Sequence, residues 1–253
     1  MAYDTDREVM GRRFGLGAAT QAEAAQIDVG LRRYMLSVYN YMASGLLLSG
    51  IVAVVVANTG LQDLFFQMTE AGRWGYTGLG FVAMLAPIGI ILAMSFGAAR
   101  MGNAGLQGLY WALVATMGIG FAVLLKVYTG DSVARVFFIT AAAFGALSLY
   151  GYTTKRTLSG FGTFLFMGLI GLVIAMVVNI FMQSAMMQFI ISSVGVLVFS
   201  GLIAFDTQRL KNEYFEVQGT AMEERSAIMG AVSLYLNFVN LFQFLLSFLG
   251  NRE

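Results

Sequence analysis

The chain has 253 residues, of which 58% are hydrophobic and 11% charged, and its formal net charge is +1; an ordinary soluble domain carries roughly 25% charged residues. It contains neither cysteine nor histidine, which excludes disulfides, thiolate chemistry and zinc sites built on thiolate or imidazole. So small a net charge gives no electrostatic reason to expect nucleic acid as a partner, and the composition is that of an integral membrane protein whose first partner is lipid.

Residues 1–33 are the only long polar stretch, with Arg7, Arg12, Arg13, Arg32 and Arg33 balanced by Asp4, Asp6, Glu8, Glu23 and Asp28. The early arginines are followed by no short apolar core and no small-residue cleavage site, so the stretch reads as a tail and not a signal peptide. From about Thr20 it lacks proline and is expected to run as a short surface helix into the first span.

Seven apolar runs follow, at 34–57, 76–96, 105–126, 132–152, 160–181, 185–206 and 227–249. Each is near the ~20 residues that a helix needs to cross a hydrocarbon core. None shows the alternation of barrel strands, so the fold class is all-α: one seven-helix polytopic membrane bundle over residues 34–253. Eleven of the 15 basic residues, from Arg7 to Arg225, fall on the side of the tail and of the second, fourth and sixth loops. Only Arg73, Lys126, Arg135 and Arg252 fall opposite. That asymmetry places the N-terminus in the cytoplasm and the C-terminus outside.

Within the runs, Pro87 is the only proline and sits in mid-span, where it frees a carbonyl and makes a possible hinge or kink. Gly120, Gly168 and Gly171 are expected to let helix backbones approach closely. Tyr34, Tyr110 and Trp111 near span ends read as parts of an aromatic belt. Asn40 and Asn179 read as buried amides bonded across helices.

The last two runs carry the strongest chemical signal. The sixth ends in Asp206, and the seventh carries Ser233, Asn237, Asn240 and Ser247, whose spacing puts them on one helical face with Gln243 close by. Leu234, Leu236, Phe238, Leu241, Phe242, Leu245 and Leu249 make the other face. A polar stripe in lipid must meet protein, water or an ion. A carboxylate at the bilayer centre costs ~2.5–3.5 kcal/mol on insertion scales and less toward the interface, so it is a functional candidate. Two readings of Asp206 stay open. It is a helix-end acid paired locally with Arg209, or a cytoplasmic gate set against the stripe, with Arg100 as a competing cation from the same membrane side.

The run GLIAFDTQRLK and then SLYLNFVNLF, with LAMSFGAARMG earlier, resembles the signature of the transmembrane Bax inhibitor motif family in its bacterial branch. The resemblance covers all seven runs. It implies a bundle with one central helix and a pH-sensitive calcium leak in a bacterial inner membrane, in some members alongside a membrane-bound AAA protease. It also implies a pair of aspartates as the pH sensor. Asp206 matches the first; Asn237 stands where the second would be, within LYLNFVNLF where LYLDFINLF would match more fully. Two close carboxylates share a proton, whereas an amide cannot titrate, so pH sensing is expected to be weakened here.

Calcium favours ~6–8 oxygen ligands, mostly carboxylates in tight sites. A single intramembrane carboxylate with amides and hydroxyls allows only weak, transient binding at Asp206, as conduction requires. No cofactor is expected beyond the carried ion. A retinal photoreceptor would need a lysine in the last run, which has none. A hydrolase would need a nucleophile with a base or a metal cluster, so no enzymatic activity is expected. The rival to a leak is a non-transporting regulator that binds a membrane-bound AAA protease or another membrane protein.

Overall fold

Apolar runs of membrane length have no water to satisfy their peptide groups, and each therefore closes its hydrogen bonds within itself as a helix. The computed structural model describes residues 3–69, 74–98 and 100–251, with side chains from Gln26 onward. Its elements are α1 (Tyr3–Asn58), α2 (Gln62–Phe65), β1 (Phe66–Met68), β2 (Trp74–Tyr76), α3 (Gly78–Gly97), α4 (Asn103–Phe121), α5 (Leu124–Val127), α6 (Gly130–Thr153), α7 (Ser159–Met182), α8 (Ala185–Val217) and α9 (Glu223–Leu249). Among the described residues seven stretches are long and apolar enough to span a membrane, the first being Gln26–Asn58 and the third joining α4 to α5. Hydroxyl caps mark several starts. Thr77, Thr129 and Ser184 accept from the backbone N–H of Gly80, Ser132 and Met187 at 3.1, 3.3 and 3.3 Å, satisfying donors that a helix N-terminus leaves open.

The helices are arranged around α9. Of its most apolar window 56% is buried, against 11% for α7. Leu234, Tyr235, Phe238, Leu241 and Leu246 of α9 are all within the core, whereas Phe164, Met167, Ile174 and Phe181 of α7 are exposed, as lipid-facing side chains are. Helix α9 packs on α8, α1, α6 and α4. The face of the seventh span opposite the polar stripe therefore meets protein as well, which is how a central helix differs from a peripheral one.

Several details depart from the sequence reading. The sixth helix does not stop at Asp206 but continues to Val217, because TQRLKNEYFEV contains no glycine or proline to end it. Asp206 is thus interior to a long helix, about 16 Å of helical rise from its end. The connection between the first two spans contains an antiparallel hairpin pairing Phe66 with Tyr76 and Met68 with Trp74, too short to leave a period in the sequence. Tyr34 and Tyr110 are 2% and 0% exposed, core residues and not interfacial ones. Asn40 is exposed, whereas Asn179, half-buried, does bond across to Gln188 of α8 at 3.3 Å and also caps the end of α7, its Oδ1 accepting from the Ser184 N–H at 3.1 Å.

Of the glycines expected to let helices approach closely, only Gly168 does so, a Cβ there lying 3.2 Å from Val198 of α8. Gly120 and Gly171 face open space, while a Cβ on Gly151 would lie 2.2 Å from the carbonyl oxygen of Ala204. That contact brings α6 against α8. Pro87 lies buried within α3.

Candidate functional site on the seam between α8 and α9

Helices α8 and α9 run antiparallel, so a residue three or four positions along one meets a residue three or four positions back along the other. Ser192 meets Ser247 at 3.2 Å, Asp206 meets Asn237, Arg209 meets Ser233, and Glu213 meets Ser226. The polar groups that the sequence distributes over two spans thus come to lie on one seam.

Asp206 is 9% exposed. The Asn237 amide donates to its Oδ2 at 2.7 Å, and the Arg209 guanidinium sits 3.0 Å from its Oδ1. The same Arg209 nitrogen donates to the Ser233 hydroxyl at 3.2 Å. Both carboxylate oxygens are therefore occupied, one by a neutral donor and one by a cation three residues along the helix. A hydrogen bond to a charged group contributes ~1.5–3 kcal/mol, and Arg209, whose side chain is 45% exposed, contributes less than a buried partner would. An arriving cation would have to take the place of one of these two donors.

Both contacts expected of Asp206 are made, although the residue is interior to α8 and not at its end. The acid pairs locally with Arg209 and also faces the seventh span. Of the residues singled out, Ser233 and Asn237 converge on it. Asn240 does not, because its amide donates to the Leu236 carbonyl of its own helix at 2.7 Å. Arg100 does not either. It lies exposed in the turn after α3, and the guanidinium on Asp206 is that of Arg209.

Toward the ends of α8 and α9 nearest this site the seam stays polar. Ser226 donates to Glu213 Oε1 at 2.6 Å, leaving Tyr34 to donate to Ser226 at 2.7 Å. Lys211 donates to the Tyr152 carbonyl at 2.9 Å, tying α8 to α6. On another face of α9 the buried Tyr235 hydroxyl bonds Ser49 of α1 at 2.7 Å. Sequence reading missed these contacts because a tyrosine in a span reads equally well as a belt residue. Glu213 lies beyond the sixth apolar run, which gives no sign of its place on the continued helix α8. Among the described residues no group of three or more acidic side chains is placed to hold a metal.

Six spans gathered around a buried seventh, with a pinned carboxylate between the last two, define a polytopic helical membrane protein. The chain belongs to the Bax inhibitor family: the family model described as inhibitor of apoptosis-promoting Bax1 matches residues 31–253. It is similar to an uncharacterized protein of Caulobacter vibrioides, 47% identical over 230 residues, covering 90% of this chain and 92% of that one. The inner membrane protein YbhL of Escherichia coli is 41% identical over 232 residues, covering 90% of this chain and 95% of YbhL. A membrane protein of Streptococcus pyogenes is 32% identical over 228 residues, with 90% and 96% covered. The resemblance read from the last two spans is thus established along nearly the whole chain.

Proposed function

We propose that the protein is a cation leak of the bacterial inner membrane whose ion is calcium, gated on the cytoplasmic side around Asp206. The observation that carries this reading is the buried carboxylate held between Asn237 at 2.7 Å and Arg209 at 3.0 Å on the seam of the central helix. A group so costly to place among apolar helices is accounted for by a task that needs its charge. Its two donors are exchangeable, which suits an ion that must bind loosely enough to leave. With Asn237 in place of a second acid, no carboxylate pair shares a proton, and the pH response is weak.

The excess of basic residues on the tail side supports a cytoplasmic N-terminus and an external C-terminus. The similarity to the inner membrane protein YbhL supports the inner membrane. Purified protein in liposomes is expected to admit calcium above the protein-free background, and reporters fused to both ends are expected to fall on opposite sides. If the protein passes no ion, and its cellular effect is lost on deleting residues 1–30 but kept in Asp206→Asn, the leak is refuted. The molecule is then a regulator of a partner such as a membrane-bound AAA protease.

A further inference from the structure

The seam has a polar region at each end and a largely apolar middle, where Asn240 of α9 turns its amide back onto the Leu236 carbonyl of its own helix. Ser192, Gly195, Phe199, Ile203 and Asp206 follow one another at three- and four-residue steps on α8, one face of a helix spanning ~21 Å. Ser247 and Phe244 of α9 answer Ser192 and Gly195. Between Ser192 and Asp206 that face carries no polar side chain. On it Phe199 stacks against Phe244 of α9, with ring centroids 5.7 Å apart and planes at 28°. Both rings are buried, at 5% and 8% exposure. A Cβ on Gly195 would lie 2.7 Å from the Phe244 ring, so the glycine is what lets that ring lie flat against the α8 backbone.

On the far side of the rings a cavity of about 650 Å³ opens, lined by Asn179, Gln183, Ser184, Gln188, Ser192 and Ser247 among others. Its polar groups form a connected set. Asn179 donates to Gln188 Oε1 at 3.3 Å, Gln188 donates to Ser192 and Ser247 at 3.4 Å each, and the two hydroxyls meet at 3.2 Å. Ser192, the innermost, is 1% exposed. We propose that this cavity is the second mouth of the pathway, taking a hydrated cation on neutral oxygens, and that Phe199 and Phe244 form the barrier between it and Asp206. The proposal rests on the leak reading above and adds to it where the ion waits and what stops it.

The chemistry fits a mouth and not a trap. Amide and hydroxyl oxygens can stand in for water around an ion one at a time, and without a carboxylate they hold it weakly. The carboxyl ends of α7 at Met182 and of α9 at Leu249 border the cavity, against the single amino end of α8 at Ala185, so the helix-end partial charges lean negative. The barrier works by exclusion. Two stacked rings offer neither water nor ion a hydrogen bond, and a hydrophobic constriction of this kind empties of water. Passage requires the rings to turn or the helices to part.

Because the chain has no cysteine, single cysteines report water access without background. Ser247→Cys is expected to react with a charged, membrane-impermeant thiol reagent added from outside, and Ile203→Cys to be protected. Adding Phe244→Ala should expose Ile203→Cys to that reagent and raise calcium flux in liposomes about tenfold over the wild type. Phe244→Leu, which keeps most of the volume, should give a smaller rise and serves as the variant to read if the alanine protein does not elute as a single species. An unreactive Ser247→Cys, or an Ile203→Cys equally protected with and without the ring while flux is unchanged, overturns the proposal. Flux from neither wild type nor variant, with Ile203→Cys newly labelled in the variant, refutes the leak but leaves the barrier standing.

Discussion

The two ends of the α8–α9 seam are built from different materials. Near the N-terminal side of the bundle the seam holds Asp206, Arg209 and Glu213, each partnered by a side chain of α9 or of its own helix. At the other end it holds Gln188, Ser192 and Ser247 with no formal charge. A charge among apolar helices is costly unless paired, so the first end must keep its partners in place, and removing one leaves a bare ion. Neutral hydroxyls carry no such penalty, and the second end tolerates change. The ends differ in what they can do as well. The first end carries formal charges and the second only hydroxyl, amide and helix-end dipoles.

That contrast can be sharpened first at the amide. Asn237→Asp places a second carboxylate against Asp206, creating a pair that titrates as a unit. Flux of this variant should change about tenfold between pH 5 and 8, since one unit of differential protonation corresponds to ~1.4 kcal/mol. As pH rises the two ionised groups repel, so the variant should lose thermal stability relative to the wild type over the same range. The wild-type profile should be flatter. Parallel profiles for the two proteins would show that the positions do not interact.

A smaller effect is expected from removal without replacement. Asn237→Ala leaves Asp206 Oδ2 with no donor and should lower stability in detergent by ~1.5–3 kcal/mol, the worth of a hydrogen bond to a charged group. Ser247→Ala at the neutral end should cost less than ~1 kcal/mol, because a neutral hydroxyl pair contributes little net. Equal losses at the two ends would erase the distinction. Smallest of all is Asn240→Ala. Its amide turns back onto Leu236, and stability and flux should stay near wild type, within about 0.5 kcal/mol.

Much of this arrangement was legible in the chain, for physical reasons that also mark where reading stopped. Spans announce themselves because a helix in lipid needs an unbroken apolar run, and all seven appear in the structure. The pairing of Asp206 with the seventh span followed from spacing, since Ser233 and Asn237 share a helical face. Spacing alone put Asn240 on that face too, yet a local backbone acceptor captures its amide. Counting charges by membrane side put Arg100 on the right side for Asp206 but could say nothing of its neighbours. The continuation of α8 past Asp206 was hidden because its residues are polar, and polarity outside an apolar run reads as loop. Ser247 stands out as part of the stripe, but its partner Ser192 carries no charge and no motif that sets it apart from other serines in the spans.

An ion path along this seam depends on the Asp206 carboxylate. The most direct test is calcium entry into liposomes holding equal amounts of purified wild type and Asp206→Asn, compared at one pH with protein-free vesicles as background. The replacement keeps the size of the side chain and removes only its charge, so the protein should still fold. Flux should fall at least tenfold toward the background. An Asp206→Asn protein that folds and passes calcium at the wild-type rate would contradict the assignment of the seam as the ion's path.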